Sequence, residues 1–154
     1  MEWMFMPYRR YADFSGRSCR REYWMYSLFL LAVYVLLAAA AAAVVMGVGI
    51  FSMINMEEIM LALVHQPLLW LIVGLAGLFS LVNFIPSIAI VVRRLHDMNV
   101  SGWWYLGYAL VSTVPYLQGI AFIAFLLFLC LRGTAGPNRF GPDPLDRTGA
   151  QVFA

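Results

Sequence analysis

A short polar group interrupts the apolar sequence at residues 93–97, where Arg93, Arg94, His96 and Asp97 lie close together. Histidine, with a reference pKa of about 6.5, can exchange a proton near neutral pH, and arginine makes bidentate contacts with phosphate. On a helix, Asp97 lies three residues from Arg94 and four from Arg93, so it can pair with either. The pattern favours an interfacial helix cap and salt bridge, with a lipid-headgroup or ligand site as the alternative.

Catalysis is the least favoured chemistry, because the rest of the chain supplies few partners for it. His65 and His96 fall in loops that we predict on opposite faces of a membrane, so they cannot share a metal ion. Glu57 and Glu58 are sequence neighbours, whose side chains point apart on a helix. The sequence contains no phosphate-binding loop and no nucleophile elbow. We therefore expect a protein that is not an enzyme and that has no metal ion and no cofactor.

The elements that position these residues are predicted from the distribution of charge. The chain of 154 residues is 63% hydrophobic and 12% charged, whereas soluble domains have about 25% charged residues. Stretches 23–56, 59–92 and 98–131 contain no Asp, Glu, Lys or Arg. Each exceeds the roughly 20 residues that a helix needs to cross the hydrocarbon core, where a helix satisfies its own backbone groups. The sequence predicts an all-α, polytopic integral membrane protein.

Three segments follow from the same distribution of charge. They are a cytoplasmic arginine-bearing arm over 1–22, a membrane domain over 23–131 and a Gly/Pro-rich tail over 132–154. The predicted spans of the membrane domain are about 26–51, 68–92 and 103–131. Two serines are predicted helix N-caps, Ser18 for the first span and Ser101 for the third.

The third hydrophobic segment is interrupted at Pro115, Gln118 and Gly119. One interpretation is a single kinked span, which would put the tail outside the cell. The other interpretation is that the chain folds back at Pro115–Gly119, which would return the tail to the inside. Such a fold must be a re-entrant hairpin, because the roughly 12 residues before Pro115 make only about 18 Å of helix, too short to cross the bilayer. The sequence analysis favours the kinked span.

Two polar side chains lie within the second predicted span. Asn83 and Ser87 are four residues apart and share a helix face, and Pro86 lies between them. Polar groups at such a depth usually face a neighbouring helix. We expect Asn83 and Ser87 to make intramembrane polar contacts.

The arginines predict the orientation and a ligand class. The positive-inside rule places the arm and the 93–97 turn in the cytoplasm, and the arginine-free connector 52–67 outside. A basic zone at the cytoplasmic interface attracts anionic lipid. The candidate headgroup-binding residues are Arg17, Arg20, Arg21, Arg93 and Arg94.

The sequence is also compatible with other functions and partners. A homo-oligomer or a membrane protein partner is compatible with the sequence, and so is a small-solute or ion pathway through an oligomer. An enzyme that acts on lipid headgroups with Arg93, Arg94, His96 and Asp97 is the least favoured alternative. Nucleic acid is not an expected partner, because the net charge is only +2 and no basic helix with base-reading side chains occurs.

Three blocks of sequence carry a resemblance to a known family. They are YADFSGRSCRREYW at 11–24, RRLHDMNVSGWW at 93–104 and GTAGPNRFGPDP at 133–144. In this order they resemble bacterial membrane proteins of the domain-of-unknown-function family 805. The resemblance implies a small, multi-pass bacterial inner-membrane protein and no particular activity. The chain departs from smaller members of the family in its long connector and its alanine-rich first span. Each block bears arginines, which supports the hypothesis that the three form one site.

Overall fold

The computed structural model describes residues 2–51, 57, 60–61 and 64–145. The regular structure within these residues is helical, apart from one isolated bridge between Asn138 and Gly141, so the predicted all-helical class is confirmed. The helices are α1 (Glu2–Arg9), α2 (Arg20–Phe51), α3 (Pro67–Asp97), α4 (Trp103–Val111) and α5 (Pro115–Cys130).

Helices α2 and α3 are long and apolar enough to cross a membrane. Both extend beyond the predicted spans, since α2 begins at Arg20 and α3 continues to Asp97. Pro67 stands at the first position of α3, where its missing N–H is not needed. After Asp97 the chain turns at Asn99, which has a φ of 60°, a left-handed conformation that asparagine tolerates better than most residues.

The third predicted span is not confirmed, because residues 103–131 do not form a single kinked helix. Helices α4 and α5 have 9 and 16 residues and are separated by a turn at 112–114. Val114 is extended, with φ −86° and ψ 113°, as expected for a residue that precedes proline. The break therefore lies just before Pro115, and the two helices form a hairpin in which Tyr108 stacks on Phe125 at 4.2 Å between ring centroids.

The chain separates into two compact units. The terminal unit holds the described residues up to Tyr26 together with those from Ile85 onward, and the middle unit is Ser27–Phe84. In the middle unit, the Tyr34 hydroxyl bonds the Ser80 hydroxyl at 2.9 Å, and the Phe79 ring contacts Tyr34 edge to face. These contacts join α2 to α3 within that unit.

The predicted intramembrane polar residues have different partners. Asn83 is buried, and its side-chain amide donates to the Phe79 carbonyl of its own helix at 2.8 Å. Ser87 lies in the terminal unit, where its hydroxyl is 3.3 Å from the Tyr26 hydroxyl on α2. A contact between helices is thus present for Ser87.

The N-terminal arm contains a short helix that the sequence analysis did not predict. Pro7 of α1 is buried, and the Tyr8 ring packs edge to face on Tyr26, with centroids 5.8 Å apart. Apolar side chains therefore anchor α1 to the start of α2.

Candidate functional site

The core of the terminal unit contains charged side chains beside apolar ones such as Ile90 and Leu95. Arg17, Arg93 and Arg94 have relative exposures of 5%, 0% and 0%, and the carboxylates Glu22 and Asp97 are also buried. An unpaired charge in such a position is strongly unfavourable, so buried ions require partners with good geometry. We call these five residues the buried arginine cluster.

Arg93 joins the end of α3 to the arm. Its guanidinium pairs with Glu22 of α2 at 3.4 Å, and its Nε donates to the Ser18 hydroxyl at 2.9 Å. Nη1 donates to the carbonyls of Arg10 and Asp13. The Ser18 amide donates in return to the Arg93 carbonyl at 3.1 Å. The arm is thus folded around one arginine side chain.

Asp97 lies between two other arginines. Its Oδ1 accepts from Arg17 Nε at 3.0 Å and from Arg17 Nη2 at 2.9 Å, and its Oδ2 accepts from Arg94 Nη1. The expected pairing of Asp97 with either arginine of α3 is thus resolved in favour of Arg94, because the Arg93 side chain turns towards Glu22. Arg17, from a distant block, is the second partner of Asp97.

The tail closes the cluster through its backbone. Arg17 donates to the carbonyls of Gly136 and Thr134 at 2.6 Å each, and the Thr134 amide donates to the Asp97 carbonyl at 2.9 Å. A Cβ atom on Gly133 would lie 2.0 Å from Asp97 Oδ2. Only glycine lets the backbone pass the carboxylate so closely.

Arg94 connects the ends of two helices. Its Nε donates to the Leu129 carbonyl at 3.1 Å, and its Nη2 donates to the Leu131 carbonyl. Both carbonyls lie at the C-terminal end of α5, where the helix dipole favours a cation. This contact places the end of α5 beside the end of α3.

Neither predicted serine cap is observed. The N-cap of α4 is Gly102, without a side-chain hydrogen bond; the predicted cap, Ser101, only accepts from the Trp104 amide through its carbonyl. Ser18 uses its hydroxyl for Arg93. At Ser18, a tertiary contact thus takes the hydroxyl that local capping would have used.

His96 lies at the edge of the cluster and contacts both termini. Its Nδ1 is 3.2 Å from the Gly16 carbonyl, which can only accept, so Nδ1 carries the proton in this contact. The imidazole stacks on Phe140 at 3.9 Å between centroids, and Asn138 donates to the His96 carbonyl at 2.9 Å. The ring therefore positions the tail against the arm.

The five candidate headgroup-binding arginines divide into two groups. Every guanidinium nitrogen of the three cluster arginines already has an acceptor within the protein. Arg20 and Arg21 are exposed instead. They line a groove of about 420 Å³ with Trp24, Met25 and Cys130. Binding of lipid by any of the five stays a prediction.

The residues that the sequence analysis missed are acceptors rather than arginines. The sequence analysis assigns no role to Glu22, although it is the carboxylate partner of Arg93. The carbonyls of the tail are backbone groups, so no residue type in the sequence marks them as acceptors. The available signal was the pair of glycines Gly133 and Gly136 in the third block, the second of which has a φ of +72°.

The three sequence blocks thus meet in one place. Arg17 of the first block bonds Asp97 of the second and Thr134 of the third. Within residues 2–51, 57, 60–61 and 64–145, no three His, Cys, Asp or Glu side chains lie close enough together to hold a metal ion.

Comparison with known proteins identifies a family and relatives of the chain. A family described as "Protein of unknown function (DUF805)" matches residues 11–142, from the first block into the third. The chain is 34% identical over 144 residues to inner membrane protein YhaI of Escherichia coli strain K12, covering 94% of this chain and 96% of the relative. It is 32% identical over 148 residues to inner membrane protein YhaH of the same organism, with 94% and 97% covered.

No solved structure matches this chain. Neither relative's name nor the family description states a catalytic activity. The resemblance drawn from the three blocks is confirmed, because the match covers the first two blocks and most of the third. The chain belongs to the DUF805 family, whose relatives here are bacterial inner membrane proteins of unknown function.

Proposed function

We propose that this inner-membrane protein binds the headgroup of an anionic phospholipid through Arg20 and Arg21 on the cytoplasmic face. The observation that carries the proposal is the groove formed by these two exposed arginines with Trp24, Met25 and Cys130. It lies at the start of α2, where the apolar part of a candidate span begins. Charged and apolar groups thus adjoin in the order of a phospholipid's headgroup and acyl chains.

The two arginines offer different kinds of contact. Arg20 Nη1 donates weakly to the Cys130 carbonyl at 3.4 Å, an exposed contact. The Arg21 guanidinium lies 6.0 Å from the centre of the Trp3 ring, at the limit of a cation–π contact. Neither contact is an ion pair, so both side chains keep donors for a phosphate, which the planar guanidinium binds bidentately.

The buried arginine cluster has a supporting role in this proposal. Its three guanidiniums hold the arm, the end of α3 and the tail together, which fixes the first turn of α2 and the end of α5 on either side of the groove. Arg20 and Cys130 come from these two elements. A preformed groove loses less conformational entropy when a ligand binds.

The test is retention of phosphatidylglycerol and cardiolipin by purified protein, measured by native mass spectrometry. A juxtamembrane cation contributes about 1 kcal/mol to the attraction of anionic lipid, so Arg20→Gln with Arg21→Gln should lower retention about fivefold for each arginine removed. Arg132→Gln is the matched control, because Arg132 is also exposed but does not line the groove.

Lysine variants separate phosphate recognition from simple attraction. Arg20→Lys with Arg21→Lys keeps the charge but loses the planar fork. Intermediate retention is expected if the guanidinium geometry contributes. Equal retention in the parent, the glutamine variant and the Arg132 control would refute the proposal and leave these arginines as signals for topology only.

A further inference from the structure

The α4–α5 hairpin has the dimensions of an element that enters one leaflet and returns. At 1.5 Å per residue, the 9 residues of α4 and the 16 of α5 are about 14 and 24 Å long. Both are shorter than a hydrocarbon core of roughly 30 Å. The two helices run antiparallel, because Tyr108 stacks on Phe125 across a turn of only three residues.

Both ends of the hairpin are fixed at the same level of the molecule. The Val100 amide, just before α4, donates to the Leu95 carbonyl in the last turn of α3 at 3.0 Å. At the other end, Arg94 of that same turn bonds the carbonyls of Leu129 and Leu131. The chain therefore leaves and rejoins the end of α3, and the tail begins where α4 began.

The side chains of the hairpin change character from base to tip. Trp103 and Trp104 are exposed at the base, where tryptophan suits the headgroup level. Towards the tip, exposed apolar side chains follow, and Tyr116 is 92% exposed. Residues 98–131 contain no charged side chain. A surface of this kind is typical of contact with lipid.

The turn at the tip bonds its own polar groups. The amides of Ser112, Thr113 and Val114 donate to carbonyls of α4 at 2.9, 3.2 and 3.1 Å. The hydroxyls of Ser112 and Thr113 donate to the carbonyls of Ala109 and Leu110 at 2.8 and 2.7 Å. Pro115 has no N–H to satisfy. The N–H and O–H donors of residues 112–114 are thus bonded internally, as a position in hydrocarbon requires.

From these observations we propose that the α4–α5 hairpin is a lipid-contact surface that inserts its tip among the acyl chains of one leaflet. The hairpin does not cross the membrane, and the tail returns to the side that holds the N-terminal arm. The exposed Thr113 hydroxyl in the tip bonds the Leu110 carbonyl, whereas the amide of Gln118, exposed one turn into α5, limits how deeply the tip lies.

Depth is measured with a single environment-sensitive probe. Tyr116→Cys, in a background with Cys19→Ala and Cys130→Ser, is labelled with a nitrobenzoxadiazole dye. The full-length protein is reconstituted into vesicles of phosphatidylethanolamine and phosphatidylglycerol. Bromines on the acyl chains should quench the dye at residue 116, and aqueous iodide should not. At the control position, Pro137→Cys in the exposed tail, iodide should quench and bromines should not.

The face of the membrane on which the arm and the tail lie is measured separately, so that the result does not depend on the dye at residue 116 alone. Ala12→Cys in the arm and Pro137→Cys in the tail should react with a membrane-impermeant maleimide from the same face of the vesicles. Iodide quenching at residue 116 would overturn the insertion, and so would protection from both quenchers, which would indicate cover by protein. Labelling of residues 12 and 137 from opposite faces would show a third span instead.

Discussion

At the scale of single residues, the distinctive feature is a buried cluster with more cations than anions. Three arginines share the carboxylates of Glu22 and Asp97. The remaining positive charge is compensated by backbone carbonyls, two of them, those of Leu129 and Leu131, at the end of α5. Arginine suits this position because its five donors lie in a fixed plane and its charge persists on burial.

The pairing of Asp97 leads to a prediction about coupling. Asp97→Ala leaves Arg17 and Arg94 without their carboxylate and should lower the free energy of unfolding by about 3–5 kcal/mol. In the Asp97→Ala background, Arg94→Ala should lower the free energy of unfolding much less than it does in the parent protein, because the effects of coupled residues are not additive. Thermal unfolding in detergent measures each variant.

Two comparisons test the specificity of that coupling. Arg93→Ala should couple more strongly to Glu22→Ala than to Asp97→Ala. Asp13→Ala removes an exposed pair with Arg10 and should cost only about 0–1 kcal/mol. Equal coupling of Asp97 to Arg93 and to Arg94 would contradict the observed pairing.

Asp13 provides a prediction about acid stability. Hydrogen bonds from Ser15 and Arg10 lower the pKa of the Asp13 carboxyl from 3.8 to about 2. Because the folded pKa lies below the unfolded one, ionised Asp13 stabilises the fold above about pH 4, and this contribution disappears as the pH falls towards 2. Asp13→Asn should therefore lower the melting temperature at pH 6 and bring the variant closer to the parent at pH 2.5. A difference that stays the same at both pH values would exclude this role of Asp13.

At the scale of elements, the tail is a structural part of the terminal unit. It contributes carbonyls to Arg17 and an aromatic ring to His96. The arm and the tail are far apart in sequence, and the end of α3 brings them together. The tail's irregular backbone is useful here, because a helix would use these carbonyls internally.

Gly133 tests whether this packing of the tail is required. Gly133→Ala would place a methyl group 2.0 Å from Asp97 Oδ2, so the tail must shift and its bonds to Arg17 must lengthen. We expect a loss of about 1–3 kcal/mol in the free energy of unfolding, as for other overpacked sites. Gly107→Ala in α4 is the control: its added Cβ meets no atom within 4 Å, and alanine favours a helix by about 1 kcal/mol over glycine. If the two variants were equally stable, the close approach at Gly133 would be refuted.

At the scale of the whole molecule, the proposed insertion of the hairpin would change the expected membrane topology. A single kinked span would place the tail outside, opposite the arm. The hairpin returns the tail to the arm, so all ten arginines, none of which lies within a predicted span, would be on one side of the membrane, and the connector 52–67 on the other side contains none. This distribution agrees with the positive-inside rule better than the topology favoured from the sequence.

Three fusions to the chain test this orientation. Green fluorescent protein attached at the N-terminus and, separately, after Ala154 should fluoresce in both cases, because both termini are expected in the cytoplasm. Alkaline phosphatase after Ala154 should be inactive, since it folds only outside. A fluorescent protein fusion after Ala154 that does not fluoresce, together with an active phosphatase fusion there, would place the tail outside and support a third membrane span instead.

The sequence by itself determined the class of the protein and the location of its polar blocks. Charge-free stretches as long as 23–56 and 59–92 have few outcomes other than helices in a membrane, because hydrocarbon leaves the backbone no other way to satisfy its hydrogen bonds. The blocks that contain Arg17, Arg94 and Gly133 could likewise be found without coordinates. The sequence alone also shows that Arg20 and Arg21 precede an aromatic and apolar helix.

Only the tertiary structure decided which charges pair and where the third segment goes. Helical spacing allowed Asp97 to pair with Arg93 or Arg94, and the choice depended on Glu22 and Arg17, which come from elsewhere in the chain. The carbonyls of the tail are chemically identical to all others, so no pattern marks them as ligands of arginine. Pro115 was compatible with a kink or a turn, and the anchoring of α5 by Arg94 selected the turn. Contacts between residues distant in sequence carry these decisions, and local spacing does not encode them.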